Sequence, residues 1–321
     1  MVRKVLALVL AGAAAALIGW RVLGPAEVSH TATTAAPVAR LLPAGVTGKT
    51  TMAALIVAGQ VRVYAGERLV KADAPVEAKT MYTPRWSYRR WPARVSGVVA
   101  SGTTVVSRWT DGLLVALDAR TGEVLWKADG PAADGFTGRT GSDAVYAPPG
   151  LYVSGTTVMV AAEGRLIARS VADGTQVWTV AADCPAGSVD DSGHLVCGPL
   201  GYDVATGQRR PPTPAQLQLT ATSDAVTARG SAAWRWPGQA VVLGVRGQRV
   251  VLLAGQTLVE LDARTGVQLR AFPLYTDNER VEPWRPYRWQ LTDTWLALER
   301  RRPGTKADDY YTTDPVIIAA L

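Results

Sequence analysis

Asparagine occurs once in this chain of 321 residues, at position 278, and phenylalanine, histidine and cysteine only twice each. Each shortage removes a class of packing or chemistry. With so little phenylalanine, the 11 tryptophans and 10 tyrosines must supply the aromatic packing. A serine triad needs a histidine base, and His30 falls in a segment read below as a linker. His194 is then the one histidine of the folded part. No glycine-rich phosphate loop or nucleophile elbow occurs. The formal charge of +7 includes Arg3, Lys4 and Arg21 of the N-terminal segment, and the remaining 31 basic residues face 27 acidic ones. That balance is too weak and too scattered for a nucleic-acid binder.

Val5 to Trp20 is a charge-free apolar run behind the basic head "MVRK". As a helix it spans about 24 Å, or about 28 Å if Arg21 snorkels and Val22 and Leu23 extend it. Residues 1–23 therefore read as an N-terminal transmembrane anchor, inserted in the cytoplasmic membrane through residues 5–23. Basic residues ahead of the run place the N-terminus in the cytoplasm and the remainder outside. The alternative is a cleaved signal and a secreted protein. An extracytoplasmic address suits Cys184 and Cys197, which read as a disulfide. A metal site at His194 and Cys197 lacks a credible fourth ligand and the paired C-x-x-C spacing. Residues 24–50, rich in Ala, Thr, Pro and Gly, read as a flexible linker.

From residue 51 to 321 helical periodicity is almost absent. Short apolar runs recur between Gly, Asp, Ser and Pro, which is the signature of an all-β domain. Four turns superpose: Asp118 to Gly122, Ser170 to Gly174, Asp203 to Gly207 and Asp262 to Gly266. The aspartate caps the turn, and the glycine takes the positive φ of a tight hairpin. Their uneven spacing scatters around that of four-stranded propeller blades. The expectation is a β-propeller of about six blades, with seven as the alternative, and a degenerate blade near 215–236. Propellers commonly close by pairing strands from the two chain ends, so 314–321 is expected to join the blade begun near 53–72.

"GLLVALDARTGEVLW", residues 112–126, resembles the repeat of the quinoprotein-type (PQQ-like) β-propellers. Gly112, Leu114, Ala116, Leu117, Asp118, Thr121, Gly122 and Trp126 match that repeat. The second copy keeps Gly164, Leu166, Ala168, Gly174 and Trp178. In the third and fourth copies Pro211 and Arg270 replace the final tryptophan. The resemblance implies that Trp126 and Trp178 dock against the neighbouring blade. It also raises a quinone-dependent dehydrogenase as the alternative function. Such enzymes hold calcium with Glu, Asn and Asp beside a catalytic aspartate, and often carry a disulfide between adjacent cysteines. Here the cysteines are far from adjacent and Asn278 alone supplies asparagine. The expectation is therefore no catalytic residue, no cofactor and no metal.

Three Arg–aromatic clusters stand outside the repeats: Arg89, Arg90 and Trp91; Trp234, Arg235 and Trp236; and Trp284 with Arg285. Arginine forks recognise carboxylate and phosphate, while tryptophan stacks on rings and guanidinium planes. They are candidates for a binding surface, with blade packing as the competing reading. The expected function is a membrane-anchored, non-catalytic scaffold binding an envelope protein or an anionic envelope polymer.

Overall fold

The computed structural model describes residues 24–36, 41–59, 61–75, 84–184, 186–190, 193–211, 217–276, 279–280, 282–304 and 315–321. The apolar segment 1–23 and Asn278 lie outside them. The described strands form seven antiparallel sheets, the blades of a propeller. Blade I holds Leu55–Val57, Val61–Gly66, Leu69–Pro75 and Trp86–Trp91; blade II holds Val95–Ser101, Thr104–Trp109, Leu114–Asp118 and Val124–Ala128. Blade III runs from Leu151–Ser154 to Gln176–Ala181, and blade IV from Ser188–Val189 to Arg209–Arg210. Blade V contributes three described strands, Leu217–Ala221, Ala225–Gly230 and Trp234–Pro237, where the degenerate blade was expected. Blade VI runs from Val241–Arg246 to Gln268–Pro273.

Blade VII closes the ring. Its strands Arg285–Leu291, Trp295–Arg301 and Val316–Ala320 are completed by Gly45–Thr50 from the other end of the chain. The C-terminal strand therefore pairs with Gly45–Thr50, and not with the blade at 53–72. The expected blade total of six becomes seven for the same reason. Two strands sit in the segment read as a linker, because backbone pairing rather than apolar patterning holds them. The second of these is Ala26–His30, which adds a fifth, outermost strand to blade I with all five side chains exposed. The propeller thus begins at residue 26, not 51.

The core lies between blades. Middle strands such as Leu114–Asp118 and the wholly buried Val316–Ala320 are buried on both faces, while Arg165–Ser170 and His194–Cys197 alternate buried with more open positions. The blade I/VII boundary is stitched by side chains as well. Gln290 Oε1 accepts from the Ile56 amide at 2.6 Å while its Nε2 donates to the Ile56 carbonyl at 3.0 Å, completing a ladder that two inner strands leave open.

The disulfide expected from the sequence joins Cys184, just after blade III, to Cys197 in blade IV. Closing a loop of this length stabilises by about 3 kcal/mol in the chain-entropy description. Reduction should lower the thermal midpoint by several degrees, about 2–4 °C per kcal/mol for a chain of this size or somewhat larger shifts for a smaller unit. Calorimetry with and without reductant checks this, and an unchanged midpoint would show that the bridge constrains nothing.

Candidate functional site

The repeat residues interlock adjacent blades. Asp118 Oδ1 accepts from the amides of Arg120 and Thr121 at 2.8 and 2.9 Å and from the Thr121 hydroxyl at 3.2 Å. Asp203 and Asp262 repeat these bonds with Thr206 and Thr265. The Thr206 hydroxyl and amide hold the Asp203 carboxyl below its ordinary range, and the Thr265 amide and hydroxyl do so for Asp262. Each turn ends in a glycine at positive φ. A Cβ there would strike a tryptophan of the preceding blade: Gly122 against Trp86 at 2.4 Å, Gly174 against Trp126 at 2.6 Å, Gly207 against Trp178 and Gly266 against Trp234, both at 2.7 Å. The indole N–H then donates to a carbonyl in that turn, Trp86 to Ala119, Trp126 to Val171, Trp178 to Val204 and Trp234 to Ala263, all at 2.7–2.9 Å.

Opposite each of these tryptophans on its own sheet stands an alanine: Ala72, Ala116, Ala168 and Ala228. The small partner leaves room for the indole to lie flat across the blade. In blade VI the same pair is Glu260 and Arg270. Glu260 is fully buried and held by Arg249 at 3.1 Å and Arg270 at 3.3 Å. The reason is topological. The neighbour of blade VI is the closing blade, whose third and fourth strands come from opposite chain ends. No covalent hairpin exists there to carry a glycine seat, so a tryptophan would have nothing to dock on.

The three Arg–aromatic clusters do not converge. Arg89, Arg90 and Trp91 end the fourth strand of blade I; Trp234, Arg235 and Trp236 form the last strand of blade V; Arg285 opens the inner strand of blade VII. Trp234 is a docking tryptophan rather than part of a binding surface, because Gly266 gives it a seat. Trp236 is half-buried against the blade V/VI core, and Trp284 is buried beside the Arg300 guanidinium. Arg235 pairs with Asp224 at 2.6 Å, and Arg90 makes a two-pronged bond to Asp111 at 2.8 Å. That leaves Arg89 and Trp91 exposed on blade I and Arg285 exposed on blade VII.

The built polar site lies elsewhere, on the face formed by the loops that join one blade to the next. Residues 129–150, between blades II and III, carry the helix Ser142–Tyr146 and cross to blades I and VII as a plug. Arg108, almost wholly buried, staples both ends of this segment: its Nη2 donates to the Pro131 and Ala132 carbonyls at 3.1 Å and its Nη1 to the Gly150 carbonyl at 3.4 Å. Desolvation lowers the affinity of that guanidinium for its proton, and four carbonyl dipoles supply the stabilisation. Gly141, at φ +73°, lies so close to Ala65 that a Cβ would meet its carbonyl oxygen at 2.6 Å.

The far side of the plug is fixed by blades I and VII. Thr140 Oγ1 donates to Glu299 Oε2 at 2.8 Å, and Glu299 Oε1 accepts from Arg301 Nε at 2.9 Å. The Tyr146 hydroxyl donates to the Ala54 carbonyl and accepts from its amide, both at 3.1 Å. Asp143 forms an ion pair with Arg288 and accepts from the Tyr287 hydroxyl at 3.2 Å. Arg301 lies over the Tyr287 ring, 3.1 Å from its centroid. Beside the plug is a cleft of about 420 Å³, lined by Arg108, Asp134, Phe136, Thr137, Asp143 and Arg288 among others. Arg108, Asp143 and Arg288 are all engaged in holding the plug. The cleft is therefore a surface of fixed shape. Except for Arg288, which lies in the Arg–aromatic stretch 284–289, these residues were not singled out by sequence, because they are paired across separations as large as 159 positions.

Residues 26–210, more than half of the chain, match the family described as outer membrane protein assembly factor BamB. The chain belongs to this family. Its repeats are the PQQ-like propeller repeats seen above, and a protein-binding propeller is the general character of such a scaffold. No curated protein is significantly similar to the chain. Among solved structures, BamB from Moraxella catarrhalis is 13% identical, with 88% of this chain and 99% of that chain covered and a TM-score of 0.40. The computationally designed protein Ika8 is 14% identical over 86% of this chain and 99% of its own, with a TM-score of 0.40. The structure of U3-55K is 12% identical over 91% of this chain and 100% of its own, with a TM-score of 0.44.

Proposed function

We propose that this BamB-family propeller is a non-catalytic scaffold, anchored by residues 1–23 outside the cytoplasmic membrane, that binds an envelope protein through its plugged face. The observation that carries this reading is the plug itself. It packs across blades I, II and VII on that face, and its charged groups hold structure in place, which gives a shaped, rigid surface there. Rigid faces with loops of individual sequence suit recognition. The family's description as an assembly factor agrees with a role exercised through other proteins.

A photo-crosslinking residue at exposed Thr137, in the plug segment, tests this against one at exposed Thr103, in the first hairpin of blade II on the opposite face. In the native membrane, Thr137 should yield a discrete protein adduct that Thr103 does not. Equal labelling from both faces would contradict the assignment of the surface. A thermal shift of the purified chain on adding pyrroloquinoline quinone with calcium would overturn the non-catalytic reading altogether.

A further inference from the structure

The fifth strand of blade I fixes where the bilayer must lie. Ala26 is paired with Trp91, Val28 with Arg89 and His30 with Ser87, and the segment beyond is held down by Ala32 and Ala36 amide bonds to the blade II turn at Thr121 and Arg120. Glu27 also pairs with Lys127 of blade II. On the reading of residues 5–23 as an anchor, on which this inference rests, the apolar run ends at Leu23, only three residues before Ala26. Three residues reach at most about 10 Å when fully extended, and a paired strand adds about 5 Å. Trp91 therefore stays within about 15 Å of the end of the apolar run, whatever the tilt of the propeller.

The chemistry of that corner matches the surface it is tied to. Trp91 is 37% exposed, and the Arg68 guanidinium lies 4.5 Å from its ring centroid. Tryptophan with an arginine beside it suits the headgroup layer, where an amphipathic ring meets phosphate. On the same sheet face, Arg89 is exposed next to Val28, itself 45% exposed, and the two border a groove of about 500 Å³ with Arg68, Leu69 and Ser87. The Arg89 guanidinium has no hydrogen-bonding or ionic partner among the described residues. Arg94 is close by, sharing Glu67 with Arg68 at 3.3 and 3.2 Å. The carboxylates of this corner are Glu27, Glu67 and Asp111, each already paired, against Arg68, Arg89, Arg90, Arg94 and Lys127. A net positive corner results.

We propose that this corner of blade I docks on the bilayer, with Trp91 and Val28 at the headgroup boundary and Arg68 and Arg89 on the phosphates of anionic phospholipids. The corner lies on the rim of the plugged face, because the end of the fourth strand leads into the next blade there. Docking turns that face towards proteins embedded in the same membrane and removes the freedom that a flexible linker would have allowed.

The test uses the full chain in nanodiscs of phosphatidylcholine containing about a third phosphatidylglycerol, with Trp91→benzoylphenylalanine, Val28→benzoylphenylalanine and, on blade IV, Arg209→benzoylphenylalanine. Lipid adducts, read by mass, are expected at positions 91 and 28 and not at 209, with phosphatidylglycerol enriched over its share of the disc. Arg68→Gln and Arg89→Gln should each lower the ratio of phosphatidylglycerol to phosphatidylcholine adducts by up to about 5-fold while the adducts remain. A chain that enters the disc but gives no adducts at 91 and 28, or equal adducts at 209, overturns the docking alone. Unchanged enrichment in both arginine variants overturns the phosphate contacts. A chain that does not enter the disc overturns the anchor reading, and the docking with it.

Discussion

A chain ending at Pro315 should not fold. The missing strand, Val316–Ala320, is wholly buried between Gly45–Thr50 and Trp295–Arg301, and it supplies hydrogen bonds to both. Each of its two isoleucines alone stabilises by about 2–5 kcal/mol relative to alanine at a buried site, while a whole domain is stable by only about 5–15 kcal/mol. Its loss also separates the N-terminal strand from the ring and exposes two sheet edges. Near-ultraviolet circular dichroism should lose its tryptophan signal, and limited proteolysis should degrade the shortened chain throughout. A milder variant, Ile318→Asp, puts a carboxylate into the same buried position and should lower the midpoint strongly without removing the strand. A shortened chain that unfolds cooperatively at the full-length midpoint would mean that the ring closes elsewhere.

Trp126→Ala is the second large effect, at about 3–5 kcal/mol of stability. The indole is buried at the blade II/III boundary, bonds the Val171 carbonyl at 2.8 Å and lies on the Gly174 backbone. Its loss opens a cavity and leaves that carbonyl without its donor. Trp126→Phe restores much of the ring but not the N–H, so it should fall between alanine and the native chain. Chemical unfolding, read by circular dichroism because fluorescence would change with the substitution itself, measures the series. Equal stability of the alanine variant would show that Trp126 decorates the blade without holding it.

How far the sequence discloses this ring depends on which force holds each part. The turns at Asp118, Asp203 and Asp262 are local structures. Their capping side chain, threonine and glycine all lie within five positions, so they are legible before any fold is known. The docking of Trp126 is implied by the repeat, whereas Trp86 and Trp234 lie outside its best copies and hide among arginines. Ala26–His30 and Gly45–Thr50 escape a reading based on apolar alternation, since all their side chains except that of Thr50 are exposed or half-buried and the backbone ladder does the holding. Arg270 reads as a degenerate tryptophan until the ring closure explains it: a blade next to the chain ends has no seat to fill. The plug is the least legible part. Thr140 with Glu299 and Asp143 with Arg288 are meetings that only the closed ring arranges.

That the repeat residues build the ring, rather than a site, is tested most directly by a double-mutant cycle on Trp126 and Gly174. Gly174→Ala forces a Cβ to within 2.6 Å of the indole at φ +74°, so alone it carries both a clash and backbone strain. With Trp126→Ala in place the clash is gone and only the strain remains. The double variant should then be more stable than the sum of the two single losses allows, by about 1–3 kcal/mol. Losses that add to within about 0.5 kcal/mol would contradict the interlock.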